Sequence, residues 1–319
     1  MYIYEQKDWP LFSWDKELVN EKLNKVHKAV GYLMGRLSLI GFDDKMLAVV
    51  ESISHDIIAS SEIEGVALNN EQVRSSVARK LGVPLQNPTA SSRYIDGVVE
   101  MALDATVNYA SPLTHERLFG WHNCLFPTGW SDSTRIDVGK YRSGEMKVVS
   151  GMFGREKVHY VAPAAEKMDE EMGRFLDWFN SDTHDSYVKS AIAHLWFVSI
   201  HPFDDGNGRI GRGIADMALS QAENSQMRFF SISYQINKDK KQYYDILEKT
   251  QAGGCEITGW IMWYLDCLLR SVEQSDETLS KVLNKAVFWQ KHAETVISER
   301  QREVLNLYLD GYSGKLTVK

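Results

Sequence analysis

Apolar side chains return every three or four residues along most of this chain, the period of a buried helix face. Val26, Val30, Leu33, Leu37 and Ile40 make one such stripe. It predicts a long helix that Ser13 caps, with Asp15 and Glu17 in its first turn, and that ends at Gly41. Leu47, Val50, Ile53, Ile57 and Ile58 make a second stripe on a helix opening near Asp43. Further helices are expected over residues 70–80, 94–109, 113–125 and 168–179. Residues 187–200 are apolar on three sides, which predicts a central buried helix, and another helix follows from about Ile210. Residues 227–236 read as loop with short extended structure. Helices are expected again over 257–269, 273–295 and 298–309. The first fourteen residues are aromatic and irregular, and read as a flap on the first helix through Tyr2, Tyr4, Trp9, Phe12 and Trp14.

The helical period breaks after Gly139. Met146–Val149 and Val158–Val161 are β-prone runs around a Gly-containing turn, so a hairpin is expected over 146–162. The expected fold class is all-α with a small β-hairpin flap.

Composition narrows the picture. An apolar fraction of 44% over 319 residues supports a sizeable core in one large or two medium domains, and argues against bulk disorder. A net charge of −7 argues against general affinity for nucleic acid or acidic membranes. No apolar run reaches the length of a membrane span, and the first residues lack the basic and apolar regions of a signal peptide. Cys124, Cys255 and Cys267 are odd in number and far apart, so neither a disulfide framework nor a zinc site is expected. The expected location is cytoplasmic. His115 and His122 have no partner ligands in register, and read with His194 as surface or hydrogen-bonded core groups rather than metal ligands.

The densest chemistry lies at residues 201–212, His-Pro-Phe-Asp-Asp-Gly-Asn-Gly-Arg-Ile-Gly-Arg. The apolar run stops at His201 because Pro202 disfavours helical geometry at the residue before it. A Gly-rich turn that opens a helix aims free backbone N–H groups and the positive end of the macrodipole at one point, as an anion requires. Arg209 and Arg212 lie one helical turn apart and can both fork onto phosphate oxygens. Asp205 offers a hard oxygen ligand for Mg²⁺ beside those phosphates. His201 is the group there whose ordinary pKa suits proton abstraction near neutral pH. The stretch reads as a polyphosphate cradle with a general base at its entrance.

This run resembles the signature of the Fic family, His-Pro-Phe-x-(Asp/Glu)-Gly-Asn-Gly-Arg-x-x-Arg, and matches it at every defined position. Fic enzymes move AMP from ATP to a Ser, Thr or Tyr hydroxyl of a protein and release pyrophosphate. The resemblance therefore implies a protein adenylyltransferase that uses ATP and Mg²⁺. It implies His201 as the catalytic base and Asp205 as the metal ligand. Asn207 and the amides around Gly206 and Gly208 would hold the α-phosphate, Arg209 the β-phosphate and Arg212 the γ-phosphate. Phe203 is counted among the nucleotide-contacting residues. Lys241 to Glu248 resembles the family's Tyr-Tyr-x-x-Leu-Glu helix near the adenine, which would place Tyr243, Tyr244 and Gln251 by the base; plain packing tyrosines are an equal reading.

Ser60-Ser61-Glu62-Ile63-Glu64-Gly65 ends the second helix. In isolation Glu64 is an ordinary solvated carboxylate, set against the dipole at its helix end. Next to a Fic-like cradle, the segment resembles the family's inhibitory helix, Ser/Thr-x-x-x-Glu-(Gly/Asn). That implies an inhibitory set of Ser60, Glu64 and Gly65, with Glu64 pairing to Arg212 and occupying the fork that the γ-phosphate needs. The hairpin resembles the family's flap, which clamps a target segment by strand addition.

The resemblance divides the chain into an N-terminal helical domain over 1–110 (inhibitory helix near 44–64), a Fic core over 111–270, and C-terminal helices over 271–319. The last of these begins a truncated winged-helix-like segment without its DNA-reading helix, so nucleic-acid binding is not expected. The expected partners are ATP and a protein presenting a hydroxyl side chain along the 146–162 hairpin, with self-modification and a homodimer as further expectations. The alternatives are AMP removal or transfer of another phosphate-containing group on the same fold, or a non-catalytic nucleotide-binding regulator.

Overall fold

A computed structural model describes residues 1–38, 41–151, 155, 157–292, 295, 297–309. Ile40, residues 152–154 of the expected hairpin and residues 310–319 of the expected winged-helix-like segment lie outside the described residues.

The chain is mostly helical, with two small antiparallel hairpins. In order, the elements are α1 (Lys16–Leu37), α2 (Phe42–Ile63), α3 (Asn70–Leu81), α4 (Arg93–Val107), α5 (His115–Leu125), β1 (Trp130–Ser131), β2 (Thr134–Arg135), β3 (Lys147–Ser150) and β4 (Lys157–Val161). Then follow α6 (Met168–Ser181), α7 (Ser186–Ile200), α8 (Asn207–Glu223), α9 (Ile232–Lys238), α10 (Lys240–Gln251), α11 (Thr258–Lys291) and α12 (Glu299–Leu309).

The centre is α7 against α8. Every residue of α7 after Ser186 is buried, which is why its sequence is apolar on nearly all sides. Gly211 lets the two backbones close, because a Cβ there would meet Val198 Cγ1 at 3.0 Å. Around this pair α4, α6 and α11 supply further apolar faces, and α1 lies along α11. The apolar stripe of α1 is buried from Val19 to Leu37. One continuous apolar cluster runs from Ile3 to Leu279.

Four local expectations are corrected. Asp15, not Ser13, caps α1, its carboxylate accepting from Leu18 N at 3.0 Å. Ser13 is instead held in extended pairing, donating to Cys255 O and accepting from Ile257 N. Four of the N-terminal aromatics cover the core rather than α1, Tyr2 and Tyr4 packing on Tyr160 and Trp9 and Phe12 on Trp196, while Trp14 lines a cleft with Val19 and Leu23 of α1. Residues 232–238 are helical because Ser231 Oγ accepts from Tyr234 N, a cap hidden in a run that looks extended. Finally, 258–291 is one helix of 34 residues, since no Gly or Pro separates the two stripes. The β1–β2 hairpin had no counterpart among the sequence expectations.

Candidate active site

The cradle begins where α7 stops. His201 closes that helix in the left-handed region, φ 54° and ψ 58°, a conformation uncommon for a residue with a Cβ. Arg142, buried beside the loop, holds it there. Its Nε donates to His201 O at 2.8 Å, its other guanidinium nitrogens donate to Gly144 O and Pro163 O, and its backbone N donates to Pro202 O. Within the imidazole, Nδ1 faces Val198 O at 3.2 Å. A carbonyl only accepts, so Nδ1 carries the proton and Nε2 keeps a lone pair. Burial lowers the His201 pKa, with the Val198 contact opposing and Arg142 reinforcing the shift. The ring is therefore a neutral base at physiological pH.

The turn that follows is built from inward contacts. The Phe203 ring is fully buried and stacks on His122 at 4.2 Å. His122 Nδ1 accepts from Gly139 N at 3.2 Å, which leaves Nε2 to donate to Asp205 O at 3.2 Å. Desolvation lowers the His122 pKa to about 4, so the ring stays neutral in this role. Asn207 uses both ends of its amide on Phe203, accepting from N at 2.9 Å and donating to O at 2.7 Å. Both residues therefore shape the loop: the Phe203 ring is sunk in the core, and the Asn207 amide, tied once at each end to Phe203, keeps one N–H and one lone pair for another partner. Gly206 takes φ 81° at the N-cap of α8. A Cβ there would meet Phe126 Cε2 at 2.8 Å, so conformation and space both require glycine.

Asp205 stays partly open to solvent, with 43% of its side chain exposed. Oδ1 accepts from Gly206 N and Oδ2 accepts from the Ser131 hydroxyl. Arg209 approaches Asp205 Oδ2 at 3.8 Å, donates to Tyr94 Oη at 3.0 Å and lies over the Phe126 ring.

Arg212 is the pivot. It is 1% exposed and donates from Nε to Ser60 Oγ at 2.8 Å, and from Nη2 to Ser60 O at 2.7 Å and Glu64 Oε1 at 2.8 Å. Burial works against its charge, yet Glu64 holds its pKa above the ordinary value. Glu64 also sits directly above the first turn of α8: a Cβ on Gly208 would meet Glu64 Oε1 at 2.0 Å. A carboxylate therefore stands at the helix N-terminus, where the macrodipole favours negative charge. Gly65 makes this reach possible. It is left-handed (φ 81°), and Gly65 N to Glu62 O with Val66 N to Ser61 O closes a Schellman turn just past Glu64.

Two guanidinium atoms of the cradle are unsatisfied. Among the described residues, Arg209 Nε and Arg212 Nη1 are buried without a hydrogen-bond partner. Buried orphan donors are costly, and phosphate oxygens are the complementary acceptors. No group of three or more His, Cys, Asp or Glu side chains forms a metal cage among the described residues. A cation at Asp205 would be held by one carboxylate with substrate phosphates, the pattern that suits Mg²⁺.

Beside Glu64, His201 and Gly208 opens a cavity of about 670 Å³, walled by the β3–β4 hairpin and α10. Tyr243, Tyr244 and Gln251 line it. The Tyr243 hydroxyl is bonded to His194 Nε2 at 2.9 Å, Tyr244 donates to Ile63 O at 3.3 Å, and Gln251 donates to Ser199 Oγ at 3.2 Å. Among the described residues the outer edge of β3 pairs with no other strand.

Sequence reasoning missed His122 as a loop support, Ser131 on Asp205 and Tyr94 on Arg209. Each acts through a contact far along the chain, and none carries a local signal that marks it.

A helix N-terminus flanked by a neutral histidine, an open carboxylate and two arginines has the chemistry to receive phosphate groups. In comparison with known proteins, residues 112–219 match the Fic/DOC family, and residues 2–83 match a domain of unknown function, DUF4172. The chain carries a Fic/DOC domain. It is 24% identical over 231 residues to a protein adenylyltransferase Fic of Nematostella vectensis, covering 71% of this chain and 49% of that protein. It is 29% identical over 119 residues to a uridine 5′-monophosphate transferase of Xanthomonas campestris, covering 35% and 22%. The chain thus spans about half or less of the length of these curated relatives. A Fic family protein from Desulfovibrio desulfuricans shares the fold with a TM-score of 0.62 at 22% identity, covering 82% of this chain and 74% of that one. Fic-1 (residues 134–508) from C. elegans does so with a TM-score of 0.53 at 18% identity, covering 85% and 74%.

Proposed function

We propose that this chain is a protein adenylyltransferase held inactive by its own α2. The observation that carries the reading is the Glu64–Arg212 pair at 2.8 Å over the N-terminus of α8, in the wall of the cavity that contains His201. ATP would enter with its base among Tyr243, Tyr244 and Gln251 and its phosphates at Gly206, Gly208, Arg209 and Arg212. The two orphan guanidinium donors support this placement. Mg²⁺ at Asp205 would supply charge neutralisation for the phosphates.

His201 Nε2 accepts the proton of the incoming hydroxyl while its Nδ1–H stays on Val198 O. The hydroxyl oxygen bonds to the α-phosphorus and pyrophosphate leaves. The protein contributes position and positive charge, since phosphoryl transfer asks for little covalent chemistry from the enzyme. The acceptor is a polypeptide: the free edge of β3 beside the cavity suits strand addition, which gives affinity without demanding a sequence. Ser60, Glu64 and Gly65 form the inhibitory end of α2, Ser60 holding the arginine that Glu64 blocks. On this reading 1–110 is the inhibitory domain, 111–270 the catalytic core and 271–319 a C-terminal extension. Three free thiols, two of them buried, suit a reducing compartment, and we place the activity in the cytoplasm.

Similarity to a uridine 5′-monophosphate transferase favours a second reading, in which UMP is the transferred group. Incubating the Glu64→Gly variant with lysate and α-³²P-ATP or α-³²P-UTP tests both. Label on protein from ATP supports adenylyl transfer, label from UTP alone moves the specificity to uridylyl transfer, and label from neither overturns the transferase reading.

A further inference from the structure

A second histidine faces the same cavity, and it belongs to a different constellation. In the hairpin, Val148 lies opposite Tyr160 while Val149 lies opposite Val158. His159 is therefore an extra residue on β4, a β-bulge, which re-aims its side chain. The imidazole bridges two groups: Nε2 stands 2.5 Å from Ser150 Oγ and Nδ1 2.7 Å from Glu248 Oε2 on α10. Lys157 stands 3.3 Å from the other Glu248 oxygen. Hydrogen bonding to His159 and Lys157 holds the Glu248 carboxyl below its ordinary pKa, so Glu248 is an acceptor. It fixes the proton of His159 on Nδ1 and leaves the Nε2 lone pair toward the Ser150 hydroxyl. A nucleophile, a base in contact with it, and a carboxylate that orients the base are the recurring arrangement of an activated hydroxyl. Ser150, His159 and Glu248 all line the cavity that His201 and Glu64 also line.

We propose that Ser150, with His159 as its base and Glu248 as the orienting residue, is an intramolecular acceptor of the nucleotidyl group that the cradle holds. This rests on the adenylyl-transfer reading and adds an acceptor and a second base to it. Ser150 Oγ bonds to the α-phosphorus of ATP, the bond from that phosphorus to the departing pyrophosphate oxygen breaks, and the Ser150 proton passes to His159 Nε2. No further reactant is needed. The product is a phosphodiester on the hairpin, beside the open edge of β3, where it would meet an incoming target segment. Ser150 is exposed, and no buried contact depends on its hydroxyl.

The experiment is peptide mapping by mass spectrometry of the full chain after incubation with Mg·ATP, comparing Glu64→Gly with Glu64→Gly/His159→Ala and Glu64→Gly/Glu248→Gln. The expected result is AMP on the Ser150 peptide of Glu64→Gly. Its initial rate falls about a hundredfold without His159, in the range of general-base effects, and falls to a lesser degree with Glu248→Gln. AMP on other residues with Ser150 bare overturns this proposal and leaves the transferase reading intact. An unchanged Ser150 rate in His159→Ala overturns the assigned base. AMP on no residue, with none on lysate proteins, overturns the transferase reading and this proposal with it.

Discussion

Arg212 and Glu64 meet at 2.8 Å, but from opposite environments: the guanidinium is 1% exposed and the carboxylate 30%. The buried partner is anchored twice more, on the hydroxyl and the carbonyl of Ser60. Glu64 can turn out to solvent at modest cost, whereas Arg212 cannot leave. An anion that competes for the pair would therefore displace the carboxylate, so the inhibition we propose would be reversible.

Replacing Glu64 by Gly should raise the rate of AMP incorporation. A charge-assisted hydrogen bond contributes about 1.5–3 kcal/mol, so a gain of about ten- to a hundredfold is expected at fixed Mg·ATP. Initial rates of α-³²P-AMP transfer to lysate protein check it, and an unchanged rate contradicts the inhibitory role of Glu64.

His201→Ala removes the base and should lower transfer to other proteins by about 10²–10⁴. ATP affinity should remain, because the imidazole is bonded to Val198 O and not to an arginine of the cradle. Calorimetric titration with Mg·ATP, in the Glu64→Gly background, separates the two effects.

Phe203→Ala tests how far that ring supports the loop. Emptying its fully buried site should cost about 3–5 kcal/mol of stability and release the stack on His122. Chemical denaturation should show the loss directly. A variant of parental stability would contradict that packing role.

Stability should also fall in acid through His194. Its ring is completely buried and desolvation lowers its pKa from 6.5 to about 3. The unfolded chain binds a proton on this residue below about 6.5 while the folded chain does not. The contribution is complete above that value and declines as pH drops toward 3. Melting curves between pH 7.5 and 5 should show a decline that His194→Phe reduces, provided the Tyr243 hydroxyl it leaves unpaired is removed with it as Tyr243→Phe.

Much of this protein was legible in one dimension. The apolar stripes located nearly every helix, because a helix face repeats over a span that local sequence contains. The 201–212 run disclosed histidine, carboxylate, glycine turn and arginines together, since these groups are adjacent in the chain. Local reading failed where a competing contact came from afar: Ser13 lost its cap to backbone pairing with Cys255 and Ile257. The sequence by itself determined which chemical groups are present and on which elements. Only the tertiary structure decided which of them face one another: Glu64 with Arg212, 148 residues apart, and Glu248 with His159, 89 apart. Such pairs depend on how α2 and α10 pack against the core, and packing is a property of the whole apolar cluster rather than of any segment in it.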